Sequence, residues 1–179
     1  FFALESQPKR VGVVGGGYIG VELAGVFRGL GTEVDLFSRD DRPLPFFDNT
    51  ITDTLLSEMK KQGLKFHPKT SPDSIKKLED GRLVMITAQG EYGPYDQILF
   101  ATGRKPLLSK LNLDSAGVKL DNKGFIEVNE MQQTSTEGVY AVGDACGKIP
   151  LTPTAIAAGR RLSDRLFGGL EGARADYEN

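Results

Sequence analysis

Residues 10–30 of the chain read RVGVVGGGYIGVELAGVFRGL. The apolar run that opens this stretch is typical of a buried strand, and it leads directly into a glycine turn at Gly15. Apolar residues then recur at helical spacing from Ile19 onward, and Gly31 is a residue type that ends helices. Because residues 34–37 form a second apolar run, the stretch predicts a β-α-β unit.

The glycine turn has the G-x-G-x-x-G spacing of dinucleotide-binding turns, and it lies between a predicted strand and a predicted helix, which is the context that such a site requires. Gly15 permits the tight turn, Gly17 lets a pyrophosphate approach the backbone, and Gly20 allows close packing of helix and strand. The helix N-terminus adds free N–H groups and partial positive charge. We therefore predict a dinucleotide site that includes Gly16; the alternative is a purely structural turn.

The residues after the second strand bear on the choice between NADH and NADPH. Ser38 lies where an acidic residue would bind the ribose hydroxyls of NADH, whereas Arg39 could bind the 2′-phosphate of NADPH. Asp40 and Asp41 would repel that phosphate. These signals conflict, and the run could also be a solvated surface segment.

Patterns beyond the turn predict the other elements of an α/β fold. Asp48 is expected to cap a second helix that ends at Gly63, and a short strand follows at residues 64–66. Residues 75–95 have the strand-and-turn pattern of a β-meander. Residues 97–103 form an apolar strand that closes the first domain.

The last third of the chain predicts two more strands and a helix. The strands are expected at residues 125–128 and 139–142, and the second is apolar throughout, which is typical of a buried strand. Thr152 is expected to cap the final helix. We predict that residues 1–106 and residues 107–179 form separate domains.

The composition excludes several classes of protein. The chain has 179 residues and a formal net charge of −2, so it lacks the surplus positive charge that a nucleic-acid-binding protein needs. No apolar run reaches the roughly 20 residues of a membrane span. The single cysteine, Cys146, is expected to pack in the interior, and the single histidine, His67, is expected in a loop, so neither a disulfide nor a metal site is predicted. Since the chain begins with Phe1, we expect it to be a piece of a longer protein.

Four motifs occur in the order found in a known family. They lie at residues 15–25, 101–104, 139–144 and 151–160, and they read GGGYIGVELAG, ATGR, VYAVGD and LTPTAIAAGR. In these motifs the chain resembles the flavoprotein disulfide reductases, and the last motif is most similar to the glutathione reductase type. The resemblance covers essentially the whole chain. It implies a Rossmann-like, three-layer nicotinamide-binding domain with a β-meander, followed by the C-terminal half of an FAD-binding domain.

The resemblance also implies roles for residues of the first and second motifs. Tyr18 would be an aromatic lid over the flavin that moves aside for the nicotinamide. Ile19 and Glu22 would line the nicotinamide pocket, with Gly103 and Arg104 of the second motif nearby. The alternative for Tyr18 and Ile19 is packing on a helix face.

Two residues of the later motifs are implied to contact the flavin. Asp144 would accept hydrogen bonds from the ribityl chain, and a carboxylate after a sheet strand is well placed to face a ligand crevice. Thr152 would face the flavin ring at the N-terminus of the last helix, where the helix dipole stabilises negative charge. A turn role for Asp144 and a helix-capping role for Thr152 are the alternatives.

The implied activity is reduction of a low-molecular-weight disulfide, such as glutathione disulfide or a modified glutathione, by NADH or NADPH through FAD. The family's redox cysteine pair and catalytic histidine have no counterpart here, so no catalytic residue is assigned. Pro45 stands where NADPH-using relatives carry a second arginine, and Gly20 stands where they commonly have alanine, which together favour NADH. The resemblance implies a cytoplasmic homodimer, and the alternatives are a stand-alone dinucleotide-binding module or a reductase of another disulfide.

Overall fold

The chain folds into two units, the first formed by Phe1–Gly103 and the second beginning at Arg104. A computed structural model describes residues 1–177. The elements of the first unit are, in chain order, β1 Arg10–Val14, α1 Tyr18–Gly29, β2 Glu33–Phe37, α2 Asn49–Lys61, β3 Lys65–His67, β4 Pro72–Lys77, β5 Leu83–Thr87, β6 Gly90–Tyr95 and β7 Gln97–Phe100.

The first unit has three layers around a parallel sheet. The sheet has the strand order β3-β2-β1-β7, and β4, β5 and β6 form a separate antiparallel sheet. Because successive side chains of a strand point to opposite faces, alternate residues of β1 and β2 contact different layers. One set packs with Phe27 of α1 and Met59 of α2, and the other with Met85 and Tyr95 of the meander. The predicted α/β class and the predicted β-meander are confirmed.

Helix α2 begins as its sequence predicts. Asp48 is the N-cap, and its carboxylate accepts a hydrogen bond of 2.8 Å from the backbone N–H of Thr50. This bond satisfies one of the N–H groups that lack a partner within the helix. None of the helices in residues 1–177 is long and apolar enough to cross a membrane.

The second unit differs from its prediction in both strands. Instead of strands at residues 125–128 and 139–142, the structure has one isolated bridge between Leu120 and Ile126 and another between Gln133 and Tyr140. Val139 is 36% exposed, so its segment is not a buried strand. An apolar run becomes a strand only where a neighbouring strand offers a continuous row of hydrogen-bonding groups, and in the described part of this unit each run forms one isolated bridge.

The helix of the second unit, α3, spans Thr152–Phe167 and ends at Gly168, as predicted. The predicted capping role of Thr152 is wrong. Leu151 is the N-cap, with extended backbone angles and no side-chain hydrogen bond, and its carbonyl accepts the first helical bond from Ala155 N–H at 3.0 Å. Thr152 and Pro153 are the first residues of the helix, since proline fits where no N–H partner is needed.

A buried carboxylate joins the parallel sheet to the meander. Asp35 of β2 is 3% exposed, and it contacts the guanidinium of Arg10 at 3.0 Å, the Tyr95 hydroxyl at 3.0 Å and Nε2 of His67 at 2.8 Å. His67 is the last residue of β3, so the prediction that it lies in a loop is wrong. Its ring stacks on the ring of Phe37, with the ring centroids 4.6 Å apart. Buried charges persist only when they are paired in this way.

The partners of Asp35 determine its ionisation. Burial acts to raise the pKa of the carboxyl, but the hydrogen bonds from His67, Arg10 and Tyr95 together outweigh burial and hold the pKa below its usual value. A lowered pKa means that Asp35 stabilises the fold above the unfolded-state pKa of about 3.9. This stabilisation is lost as the pH falls through the folded-state pKa.

Asp35→Asn is expected to lower the free energy of unfolding by about 3–5 kcal/mol at pH 7, because Arg10 then lacks its buried counter-charge. At about pH 3 the difference from the wild type should be smaller, since this pH lies below the unfolded-state pKa of about 3.9, where unfolding of the wild type is favoured by proton uptake at Asp35. Urea unfolding at both pH values measures the effect. Asp73→Asn, an exposed change on β4, is the control and should be nearly neutral. An equal cost of Asp35→Asn at both pH values would contradict this account.

Candidate functional site

The glycine turn lies between the carboxyl end of β1 and the start of α1. Gly15 has a φ of +126°, which residues with a side chain rarely adopt, and its N–H donates to the Phe37 carbonyl of β2 at 2.8 Å. A Cβ at this position would lie 2.3 Å from the carbonyl oxygen of Ala101. Only glycine therefore fits between the two neighbouring strands.

Two further glycines hold α1 and the loop after β2 against the turn. A Cβ at Gly20 would lie 1.9 Å from the carbonyl oxygen of Gly15, so the helix packs directly on the turn. A Cβ at Gly16 would lie 2.5 Å from Oγ of Ser38, so that loop begins in contact with the turn. These contacts are the close helix–strand packing that the G-x-G-x-x-G spacing predicts.

Gly17 is the open position of the turn. No atom lies within 4 Å of a Cβ placed on it, and it is the N-cap of α1, so no side chain caps the helix. The first helical turn contains no acidic residue. Its N–H groups and the positive end of the helix dipole are thus available to an anion.

The other predicted residues of α1 lie beside this opening. Tyr18 is 41% exposed, Glu22 is exposed, and Ile19 is half-buried. Tyr18 and Glu22 are four residues apart and share one face of the helix. The structure therefore brings both together at the N-terminal end of α1, where the resemblance implies a nicotinamide pocket.

In the loop after β2, the residue expected at the ribose, Ser38, is buried, and the residue expected at a 2′-phosphate, Arg39, is exposed. Ser38 is 2% exposed, and its Oγ accepts a hydrogen bond from the N–H of Asp40 at 3.1 Å. Its hydroxyl is thus used within the loop. The Arg39 side chain is 83% exposed, with its guanidinium 3.8 Å from the Asp40 carboxylate.

The remaining charges of this loop are paired with residues of other segments. Arg42 lies 3.1 Å from Asp53 of α2. Asp41 lies 2.8 Å from the ammonium of Lys69, and the hydrogen bond from Lys69 to Asp41, with the attraction of that carboxylate, raises the pKa of Lys69. The sequence patterns gave no indication of Lys69, because it follows β3 and belongs to no motif.

The predicted residues of the later motifs lie at the end of the first unit and in the second. Gly103 is exposed with a φ of +141°. In the second unit Arg104 and Asp144 form an ion pair of 2.5 Å, in which both side chains are partly exposed. Asp144 belongs to a 3-10 turn, Gly143–Cys146, and Thr152 is exposed at the start of α3. Within the second unit, this ion pair thus joins Arg104 of the second motif to Asp144 of the third.

Cys146 is a packing residue in the structure, as predicted. It is 7% exposed, and burial raises the pKa of its thiol. A buried thiol with a raised pKa is a poor nucleophile at neutral pH.

Comparison with sequences identifies the family. The model of the pyridine nucleotide-disulphide oxidoreductase family matches residues 1–159. The glutathione reductase of Yarrowia lipolytica is 48% identical over 174 residues, which make up 96% of this chain and 37% of the relative. The glutathione reductase of Schizosaccharomyces pombe is 47% identical over 179 residues, or 99% of this chain and 39% of the relative. The chain therefore spans less than two fifths of the length of these relatives.

Solved structures have the same fold. The HOCl-induced flavoprotein disulfide reductase RclA from Escherichia coli has a TM-score of 0.90 at 28% identity, covering 97% of this chain and 39% of that one. LpdA from Mycobacterium tuberculosis has a TM-score of 0.85 at 24% identity, covering 94% of this chain and 36% of that one, and this likeness shows the fold alone. Because the family model matches most of its length, the chain belongs to the pyridine nucleotide-disulphide oxidoreductase family.

Proposed function

We propose that the chain supplies the nicotinamide-nucleotide site and part of the flavin site of a flavoprotein that reduces a low-molecular-weight disulfide. Glutathione disulfide or a modified glutathione is the proposed substrate, since two relatives at 47–48% identity are named glutathione reductase. The proposal extends to a cytoplasmic homodimer without a nucleic-acid or membrane partner. No residue of this chain is assigned to the disulfide chemistry itself.

The open position at Gly17 carries this proposal. A pyrophosphate needs close access to backbone N–H groups at a helix N-terminus, and a side chain at this position would obstruct it. In the same turn, a Cβ at Gly15, Gly16 or Gly20 would lie within 2.5 Å of a neighbouring atom, whereas Gly17 has no atom within 4 Å of its Cβ position. The open position is thus the one at the N-terminus of α1, where a pyrophosphate would bind.

The residues beside the turn fit the chemistry of the bound groups. FAD, when bound, accepts a hydride from a reduced nicotinamide and passes the electrons to a disulfide. Tyr18 is exposed enough to cover an aromatic ring or to move away from it. Asp144 has acceptor oxygens for ribityl hydroxyls, and it forms an ion pair with Arg104. Thr152 would face the flavin ring from the N-terminus of α3, which is the positive end of the helix dipole.

The proposed preference between the nicotinamide cofactors leans to NADH, because Pro45 provides no second cation for a 2′-phosphate. Oγ of Ser38 accepts a hydrogen bond within the loop, and Arg42 is paired with Asp53, so Arg39 is the more exposed of the two arginines of this loop. A charge-assisted hydrogen bond from Arg39 to a 2′-phosphate would contribute about 1.5–3 kcal/mol, and repulsion from Asp40 offsets part of it.

Gly17→Val is expected to weaken nucleotide binding strongly without unfolding the chain. The added Cβ meets no atom within 4 Å in the free protein, and the backbone angles of Gly17, φ −76° and ψ 176°, suit valine, but the methyl groups would occupy the space that a pyrophosphate needs. Isothermal titration with NAD⁺ should show at least about tenfold weaker binding, with the free energy of unfolding changed by no more than about 1 kcal/mol.

Gly25→Ala is the matched control for that experiment. Gly25 also has no atom within 4 Å of its Cβ position, but it lies in the middle of α1. Alanine there should stabilise the helix by up to about 1 kcal/mol and leave nucleotide binding unchanged. If Gly17→Val binds NAD⁺ as tightly as the wild type does, the proposed site is wrong.

Arg39→Ala is expected to act only on the cofactor that carries a 2′-phosphate. The dissociation constant for NADP⁺ should rise by about tenfold or more, while that for NAD⁺ should change by less than about twofold. Lys60→Ala is the control, because Lys60 is exposed in the last turn of α2 and should affect neither. A wild-type preference for NADP⁺ of about tenfold or more would overturn the proposed lean to NADH.

A further inference from the structure

We propose that Lys69 is a second specificity-determining cation for the 2′-phosphate of NADPH, and that its ion pair with Asp41 holds it beside the site when no phosphate is bound. The inference rests on the proposed function, because it assumes a nicotinamide nucleotide at the glycine turn. It goes further by assigning to a residue outside the four motifs a positive charge that lessens the lean to NADH without reversing it.

The sheet topology places Lys69 at the correct edge of the sheet. Strands β2 and β3 are parallel neighbours, with Phe37 paired to His67. Their carboxyl ends therefore lie side by side, at the edge where ligands of open α/β sheets bind. Arg39 follows β2 by two residues, and Lys69 follows β3 by the same number.

Backbone hydrogen bonds then fix the two segments to one another. Ser38 N–H donates to the His67 carbonyl at 3.1 Å, and Thr70 N–H donates to the Ser38 carbonyl at 2.8 Å. Lys69 N–H donates to the Asp40 carbonyl at 3.3 Å. Lys69 itself has a φ of +51°, a left-handed conformation that is uncommon for a residue with a side chain and that these bonds hold in place. The segment after β3 is thus bonded directly to the loop that carries Arg39 and lies beside it.

The side chain of Lys69 is held but can be released. Its ammonium lies 2.8 Å from the Asp41 carboxylate, and the side chains of Lys69 and Asp41 are 70% and 69% exposed. Ion pairs this exposed contribute little free energy, so a ligand can replace one partner at small cost. A 2′-phosphate carries close to two negative charges, compared with one on Asp41, and would attract the ammonium more strongly.

The pair also changes the electrostatic balance of the loop. Without Lys69, two neighbouring carboxylates, Asp40 and Asp41, would repel a phosphate. With Lys69 in contact with Asp41, one of these charges is neutralised, and Arg39 opposes Asp40 alone. Lys69 therefore favours the phosphorylated cofactor in either position. Paired with Asp41, it offsets a repulsive charge; released from Asp41, it donates to the phosphate.

The test uses NAD⁺ and NADP⁺, which differ only in the 2′-phosphate, with binding to the 179-residue chain measured by isothermal titration. Lys69→Met should weaken NADP⁺ binding about fivefold and change NAD⁺ binding by less than about twofold. Asp41→Asn should strengthen NADP⁺ binding by a similar factor, because it frees Lys69 and removes a repulsive charge. In the double variant the gain from Asp41→Asn should shrink, since no ammonium is left to be freed.

Lys65→Met is the matched control, because Lys65 is exposed at the opposite end of β3 and should leave both affinities unchanged. The effect of Lys69→Met should diminish as the salt concentration rises from about 0.05 to 0.5 M, as expected for an exposed charge. Equal effects of Lys69→Met on NAD⁺ and NADP⁺, or no effect on either, would overturn the role of Lys69 and leave the proposed function intact. If the wild-type chain binds neither nucleotide, the proposed function fails, and this inference fails with it.

Discussion

The close approach of α1 to the glycine turn fixes the geometry of the nucleotide site that we propose for the first unit. A Cβ at residue 20 would lie 1.9 Å from the Gly15 carbonyl oxygen, so the helix reaches this position only because residue 20 has no side chain. The contact aims the free N–H groups of the helix past Gly17 into open space. Because Ser38 packs on Gly16 from the neighbouring strand, the loop that bears Arg39 is fixed against the same turn.

The hydrogen-bond network of Asp35 and the loop that carries Arg39 both depend on β2 and β3. The ring of His67 hydrogen-bonds with Asp35, and its backbone carbonyl accepts a hydrogen bond from the N–H of Ser38. The ring also stacks on Phe37, the residue before Ser38. A change that displaces His67 would therefore alter both the buried ion pairs and the loop that we propose selects the cofactor. We therefore expect stability and the proposed cofactor preference to be coupled through β2 and β3.

The sequence predicted the features that depend on local spacing, and it missed those that depend on distant pairing. The glycine turn, the cap at Asp48 and the meander each follow from residues close together in the chain. Asp35 and Lys69 were not identified, because each belongs to no motif and its partners lie in other strands or loops. The strand predicted at residues 139–142 failed for a related reason: apolar residues specify a strand only where another strand is present to pair with them.

The buried carboxylate of Asp35 also constrains how the first unit folds. Its hydrogen bond to Tyr95 joins residues that are 60 positions apart, and the backbone N–H groups of Lys9 and Arg10 bind Asp96 across 87 and 86 positions. Asp35 lies on the face of β2 that the meander covers, so in a parallel sheet without the docked meander the carboxylate would be open to water and would lack the Tyr95 donor. Removal of this charge from water and its pairing with Tyr95 are therefore expected to occur together, when the meander closes over the sheet.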